Sequence, residues 1–531
     1  LAGGGVADPE AARRFLAPSL DQLHDPLRLY GLTAAVERLA AAHAAGEAVA
    51  VVGDYDVDGV TATALLVAVL QACGLAAHPI LPHRLREGYG FQPCHAERAA
   101  GLGCGLVVTV DCGTSSAAAV AAAREAGMDV IITDHHLPGE ALPEGTLLVN
   151  PRQELCDYPF SGLAGVGLAL KLALAVAARL GRALDPTRLL RIACLGTIAD
   201  LVPLVDENRA IAALGLRALA DTPSPGLRAL FRRAGVRSPL TAADVGFRLG
   251  PRLNAAGRLA DAAEALELLV CREPARAEEL AESLERLNRE RQDEERRAVE
   301  EAEAMVAERS PLPPLVVLWS AGWHRGVVGI AAGRIARRFH RPCVLLAVEQ
   351  DAAVGSGRSV PGLALHGFLD TWRAELARFG GHDQAVGLTV DLATEPGRLE
   401  RLRTTWEQAA AAWSPELLRP RHEYELELAP RAVDPALLAE LRHLEPHGQG
   451  NPQPLARIGP LTLAGTPRRF GNGHLSAVAV GADGGRLALV GWRWQGREDR
   501  LAGTFEVLGH VEELDPYRRL PRVRLLDSRP A

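Results

Sequence analysis

The chain has 531 residues, 48% of them hydrophobic, which is enough for about three or four domains with sizeable cores. No run of 18 or more apolar residues occurs and the start lacks a basic-then-apolar leader, which excludes a transmembrane helix and predicts a soluble, cytoplasmic protein with no membrane partner. The eight cysteines form no C-x-x-C pair, excluding a zinc ribbon or disulfide framework, and the net charge of −7 does not advertise nucleic-acid binding. Of the 58 basic residues only Lys171 is a lysine, which reflects biased composition more than a phosphate-binding adaptation.

Residues 1–46 combine a Gly-rich start with a helix over Leu32–His43. Ala48–Val52 is an uninterrupted apolar run and reads as a buried strand. It runs into Gly53-Asp54-Tyr55-Asp56-Val57-Asp58-Gly59, and Val60–Leu66 then begins a helix. Three carboxylates therefore stand at the carboxyl end of a buried strand, where open α/β sheets bind ligands. Anions packed this closely repel one another and are costly to desolvate. A divalent cation compensates both effects, and oxygen donors favour Mg²⁺ or Mn²⁺. The plainer reading is a solvated acidic turn capping a helix.

Leu75–Pro82 reads as a second strand, followed by the Arg- and Gly-bearing loop His83–Gly90. Leu106–Val110 is a third strand ending in Asp111-Cys112-Gly113-Thr114, with a helix over Ser116–Ala126. Val130–Thr133 is a fourth, ending in Asp134-His135-His136, and Asp200 comes after a helical segment. Alternation at this spacing predicts a doubly wound parallel sheet. One acid at a strand end is ordinary, but three such ends carrying Asp, Asp and Asp-His-His form a metal-centre pattern.

Further on, Val245–Arg258 carries Arg248, Arg252 and Arg258. Ala275–Arg309, free of Pro and Gly, predicts one helix of roughly 50 Å whose charge run is a solvated face spanning between domains. Leu315–Leu318 opens a second α/β unit with a helix after Trp323 and a strand at Cys343–Val348. Gly355-Ser356-Gly357-Arg358-Ser359 reads as a flexible turn presenting two hydroxyls and a guanidinium, a combination suited to a terminal phosphate. From His422 onward, five short strands (423–428, 456–463, 475–480, 486–492, 505–511) predict a small OB-like barrel. Phe470, Trp492, Trp494 and Tyr517 are its candidates for base stacking, or else core aromatics.

GDYDVDG, DCG, DHH and GTIAD occur in the order of the four motifs of the DHH phosphoesterase superfamily. With GPRLNAAGR, WHRGVVGI, GSGRS and GGH they make the chain resemble the RecJ family of single-strand-specific 5′→3′ exonucleases, from about residue 45 to the end. Val386 stands where that resemblance leads one to expect alanine.

The resemblance implies a DHH parallel-sheet domain (47–205) after an N-terminal helical segment (1–46). A helical connector with the long helix (206–310), a DHHA1 α/β domain (311–415) and the OB-like barrel (421–531) would come next. It implies two Mn²⁺ or Mg²⁺ ions held by Asp54, Asp56, Asp58, Asp111, His135 and Asp200, with Asp111 bridging. His136 would face the scissile phosphate and Asp134 would orient a histidine. Arg258 and His382 would grip near the scissile group, while Arg84, Asn254, Ser356, Arg358 and Gly381 would bind substrate, with Arg84, Ser356 and Arg358 at the 5′ end. The string Pro446–Pro452 resembles the family's linker into the barrel and receives no chemistry.

The implied activity is release of 5′-mononucleotides from single-stranded DNA in repair and recombination, by a monomer whose candidate partners are a single-stranded-DNA-binding protein and a helicase. Two other readings are a DHH phosphodiesterase or pyrophosphatase on a small substrate and a non-catalytic replication scaffold. Small-substrate relatives carry a histidine where this chain has Val52, and the scaffold reading is opposed by the complete set of acids and His135.

Overall fold

The structure, a computed structural model, describes residue 6 and residues 8–139, 142–471 and 473–531. The Gly-rich start at 1–5 lies outside these. Two compact units result. The first takes the chain to Pro82, then Tyr89–Gly250 and His422–Ala531; the second comprises His83–Gly88 and Pro251–Arg421.

The first unit is built on a parallel sheet of β1 (Ala48–Val52), β2 (Ala77–Ile80), β3 (Cys104–Val110), β4 (Asp129–Thr133) and β5 (Leu147–Val149), in the order β2-β1-β3-β4-β5. β5 is additional to the four strands legible in the sequence; it is only three residues long and carries no alternation. Val49, Val51 and Val52 are fully buried, as strands covered by helices on both faces require, each contributing roughly 1.5–3 kcal/mol of apolar burial. The strand order reverses at β1/β3, so the crevice at their carboxyl ends is the topological switch point. The three strands that end in acids, β1, β3 and β4, are neighbours in the sheet.

Helices pack on this sheet, and one charged network ties them to the N-terminal segment. Lys171, 1% exposed, donates to His24 O at 2.6 Å and to the Glu207 carboxylate, which also accepts Tyr158 Oη at 2.7 Å and His24 N at 2.8 Å. A buried ammonium is tolerable only when paired in this way.

The barrel belongs to the same unit. Its strands are β11 (Leu426–Leu428), β12 (Ala456–Leu463), β13 (Arg468–Phe470), β14 (His474–Gly481), β15 (Arg486–Gly491), β16 (Phe505–Leu514) and β17 (Pro521–Pro530). Five of them close through β12-β16-β17-β15-β14 with a β12–β14 pairing. The closing set differs from the five strands expected. β11 is an added edge, and β17 takes its place inside the barrel, where Val523 and Leu525 join the core. Trp494 is also core, 2% exposed, so it cannot stack on a base; Phe470 (39%), Trp492 (53%) and Tyr517 (93%) remain exposed.

Arg209 fixes the barrel to the rest of this unit. Its buried guanidinium donates to Phe15 O at 2.8 Å, Leu444 O at 3.0 Å and Glu445 O at 2.9 Å, and lies over the Phe15 ring at 3.6 Å. It also reaches His443 O and Pro446 O, beyond the C-terminus of the helix Pro435–Arg442. A cation there is favoured by the helix dipole.

The second unit contains the sheet β6 (Val316–Ser320), β7 (Cys343–Glu349), β8 (Ala352–Arg358), β9 (Arg378–His382) and β10 (Ala385–Asp391), ordered β6-β7-β8-β10-β9. Gly355–Arg358 is therefore not a flexible turn but the end of a central strand, paired on both sides. The glycines serve packing: a Cβ on Gly357 would lie 2.6 Å from Val386 Cγ2. Only one of the two expected hydroxyls is placed with Arg358, because Ser359 Oγ donates instead to Leu363 O.

The helix Pro274–Ala307 is continuous as expected, but its charge run is not wholly solvated. Asn288, Arg291 and Glu295 are buried, with Arg291 Nη1 2.7 Å from Glu295 Oε2, and the C-terminal half packs Ala298, Val299, Ala302 and Val306 against β6 and β7. Among the described residues no cysteine is in a disulfide, and no helix is long and apolar enough to cross a membrane.

Candidate metal centre and phosphate site

β1 delivers Asp54, Asp56 and Asp58 to the switch point. The Asp56 side chain caps the helix Val57–Ala72 by accepting Gly59 N at 3.1 Å. Gly59 is needed for that tight turn: a Cβ there would sit 2.4 Å from Asp54 N. Asp58 is 1% exposed and accepts the N–H groups of Gly165 (2.7 Å) and Val166 (2.8 Å), the first residues of the helix Gly165–Arg179. A carboxylate at a helix N-terminus is favoured by the dipole and the free N–H groups. Asp111, after β3, adopts φ 62°, and a Cβ on Gly165 would lie 2.5 Å from Asp111 Cβ. β4 supplies Asp134, His135 and His136, and Asp200 terminates the helix Pro186–Ala199.

These groups converge. His135 Nε2 lies 3.1 Å from Asp111 Oδ1, 3.7 Å from Asp200 Oδ2 and 3.9 Å from Asp58 Oδ2. Ligand atoms of Asp58, His135 and Asp200 lie within 4.8 Å of one another, and so do those of Asp111, His135 and His136. Burial, then repulsion from Asp56, raises the Asp58 pKa to about 7. Burial, then Asp58, raises Asp200 to about 9. Asp54 and Asp111 are also pushed well above the carboxylate range by burial, then by Asp56 and Asp58 respectively. Burial holds the His135 imidazole neutral, with its pKa lowered to about 3.

A divalent ion fits this set. Asp111 Oδ1 and His135 Nε2 are buried without a hydrogen bond, and the donors are carboxylates and one neutral imidazole, a Mg²⁺ or Mn²⁺ environment. Asp134 is placed differently. Its Oδ1 accepts His135 N (2.8 Å) and His136 N (3.1 Å) and faces His136 Nδ1 at 2.7 Å, while Oδ2 accepts Thr114 N at 3.0 Å. Burial works against its ionised form, but the His136 hydrogen bond and charge prevail and hold it well below the usual range.

Three features of this centre escaped the sequence reading. Tyr89 Oη lies 3.2 Å from His136 Nδ1 and Nε2. Asn150, at the end of β5, donates to His136 O at 2.9 Å. Two main-chain N–H groups hold Asp58. Asn150 went unseen because its strand did, and main-chain donors have no side-chain signature.

All residues expected to bind substrate lie in the second unit, Arg84 included, since His83–Gly88 groups there. Arg358 Nη1 donates to Ser356 Oγ at 2.6 Å and to Gly357 O at 2.8 Å. Burial, then the charge of Arg84, lowers the Arg358 pKa. A Cβ on Gly329 would lie 3.1 Å from both Arg358 Nη2 and Ser356 Oγ, which puts these groups against the first turn of the helix Val328–Phe339. A forked guanidinium, a hydroxyl and a helix N-terminus are groups that suit an anion. Arg258 Nη1 meets Gly326 O at 3.3 Å, just ahead of that helix. Asn254 lies on the helix Gly250–Leu259, and Gly381 and His382 close the exposed strand β9.

Residues 48–197 match the DHH family, N-terminal domain; 313–412 match the DHHA1 domain and 424–522 the RecJ OB domain. The chain is 38% identical to the single-stranded-DNA-specific exonuclease RecJ of Bacillus subtilis, over 85% of this chain and 57% of that protein. It is 37% identical to the Escherichia coli protein of the same name, over 87% and 83% of the two chains. It superposes on RecJ from Thermus thermophilus in complex with Mn²⁺ with a TM-score of 0.82 and 33% identity, covering 98% of this chain and 74% of that one. The Mg²⁺ complex from the same organism gives 0.76 and 31%, over 98% and 72%.

Proposed function

The chain belongs to the RecJ family of single-stranded-DNA-specific exonucleases, and on that premise we propose that it hydrolyses single-stranded DNA from the 5′ end, releasing 5′-mononucleotides in repair and recombination. The observation that carries this reading is the convergence of three buried carboxylates, a fourth that is partly exposed, and one neutral histidine on a single switch point, where the carboxylates repel one another.

Asp54, Asp56, Asp58, Asp111, His135 and Asp200 would hold two divalent ions. Such ions supply Lewis acidity and a more acidic water when bound. His136, whose pKa the Asp134 hydrogen bond raises against the pull of burial, would place a proton at a non-bridging oxygen of the scissile phosphate. The main-chain N–H groups of Gly165 and Val166 keep Asp58 from rotating away. In the second unit, Arg84, Ser356 and Arg358 would take a 5′-terminal phosphate, which carries more charge than an internal diester. Arg258 and His382 would grip near the scissile group, and Asn254 and Gly381 would bind the substrate beside them. Exposed Phe470, Trp492 and Tyr517 are the barrel's candidates for stacking on single-stranded bases. The enzyme would act as a monomer beside a single-stranded-DNA-binding protein and a helicase.

The test is purified protein with Mn²⁺ on 5′- and 3′-labelled single strands, on duplexes and on pyrophosphate. Mononucleotide release from the 5′ label first, on single strands only, is expected. First release from a 3′ label would overturn the direction, and turnover of pyrophosphate alone would overturn the substrate class.

A further inference from the structure

The turn Pro446–Pro452 has no place in the chemistry above, yet it touches the backbone just beyond Asp200. Asp200 caps the C-terminus of the helix Pro186–Ala199, and Leu201 takes φ 61°. That left-handed conformation is unfavourable for a leucine, and the 70% exposed side chain gains little from packing. The loop must therefore be held from further along. Leu204 N donates to Gln449 O at 2.7 Å. Asn208 Nδ2 donates to Pro203 O at 3.0 Å. Gly450, at φ 71°, lies flat on the loop: a Cβ there would meet Pro203 Cβ at 2.9 Å. One on Gly448 would meet Leu204 Cδ1 at 2.6 Å.

The turn is itself rigid. Gly448 and Asn451 exchange main-chain hydrogen bonds at 2.9 and 3.2 Å. Asn451 Nδ2 donates to Leu444 O at 2.8 Å and Pro446 O at 2.9 Å, carbonyls that Arg209 also binds. A stiff element thus bears directly on the strained loop that carries Asp200 at its start.

We infer that the Gly448–Asn451 turn is a positioning element for Asp200, with Gln449 and Gly450 setting the direction of its carboxylate toward the metal centre. The inference rests on the reading of Asp200 as a metal ligand. Asp200 Oδ2 stands 3.7 Å from His135 Nε2, the group it shares the centre with. A turn that orients Asp200 raises metal affinity and kcat. A turn that only docks the barrel affects the grip on long strands.

The experiment compares the full-length parent with Gly450→Ala, Gly448→Ala and Asp200→Asn. Mn²⁺ binding is read by calorimetry and electron paramagnetic resonance, and affinity for a long oligothymidylate is read in EDTA. Gly450→Ala is expected to weaken the binding of one Mn²⁺ fivefold or more, change its resonance spectrum, and leave strand affinity in EDTA within twofold. Weaker Mn²⁺ binding by less than fivefold in the folded variant overturns the inference. Should Gly450→Ala fail to fold by circular dichroism, Gly448→Ala is judged by the same criterion. If Asp200→Asn loses an ion while the glycine variant does not, the positioning role alone is overturned. If Asp200→Asn binds Mn²⁺ as the parent does, the ligand assignment fails and the inference fails with it.

Discussion

Asp134 Oδ1 accepts the main-chain N–H of His136 and also faces the Nδ1 of that same residue at 2.7 Å, so one carboxylate oxygen fixes both the backbone and the ring of its neighbour. The hydrogen bond raises the His136 pKa above its ordinary value despite burial. Asp134→Asn keeps the shape and removes the charge. Its kcat is expected to fall by about 10–100-fold, the usual cost of losing such a partner. The alkaline limb of the pH–kcat profile should move to lower pH, because the protonated imidazole loses its counter-charge. An unmoved limb would show that His136 does not act as a proton donor.

Removing the metal should make stability depend on pH in an unusual direction. In the metal-free fold burial and then the neighbouring carboxylates raise the Asp58 pKa to about 7 and the Asp200 pKa to about 9, against 3.8 for an ordinary aspartate. Between those limits the folded state binds more protons than the unfolded chain, so stability falls as pH rises. The Tm in EDTA is expected to drop from pH 5.5 to pH 8.5, and Mg²⁺ should raise Tm more at pH 8 than at pH 5.5. Equal gains at both pH values would contradict a carboxylate-held ion.

Arg358 sits with Ser356 at a helix N-terminus, where a phosphate can be gripped by a fork and not merely by a charge. Arg358→Ala is expected to raise KM for 5′-phosphorylated strands at least tenfold, Arg358→Lys to recover only part of that loss, and 5′-hydroxyl strands to be less affected. Mn²⁺ affinity should stay unchanged. An equal loss on both kinds of end would remove Arg358 from terminal-phosphate recognition.

Arg209 is the donor for carbonyls of Phe15, His443, Leu444, Glu445 and Pro446. Arg209→Met keeps much of the apolar stem and strands those acceptors, at a cost on the order of 3 kcal/mol. Denaturant unfolding is expected to show an earlier transition for the barrel, followed by tryptophan fluorescence. An unchanged midpoint would mean that water replaces the guanidinium freely.

His447 lies in the same junction, its pKa lowered to about 4 by burial and then by Arg209. Below an unfolded pKa near 6.5 the unfolded chain takes up a proton that the folded one refuses. The stability it contributes is therefore present above about pH 6.5 and lost as pH falls toward 4. His447→Gln should flatten the dependence of Tm between pH 6.5 and pH 4.5. A slope identical to that of the parent would assign the acid sensitivity elsewhere.

Asp54, Asp111 and His135 were legible because a buried parallel strand is a continuous apolar run, which marks the polar residues at its carboxyl end by position alone. The second unit was harder. Ser356 and Arg358 were visible as residue types, but the glycines around them look like a turn, and only the tight approach of Val386 and Leu346 explains why a central strand contains them. Trp494 and the exposed Trp492 are two residues apart with the same local pattern, and only closure of the barrel through β17 separates core from surface. The burial of Arg291 and Glu295 within a charge-rich helix is likewise a consequence of the elements packed on it. Tertiary contact decides such cases, and local sequence carries no trace of it.

The fate of Lys171 has a practical corollary. The only ε-amine in the chain is locked between His24 and Glu207, 1% exposed. Amine-reactive dyes, cross-linkers and resin chemistries therefore find no accessible lysine on the folded molecule. Nε-acetylation, which elsewhere neutralises DNA-binding surfaces, has no surface target either. Every side-chain cation this protein can present to a phosphate backbone at neutral pH is a guanidinium or a histidine. Covalent probes are better directed to the partly exposed thiols of Cys94, Cys156 and Cys271.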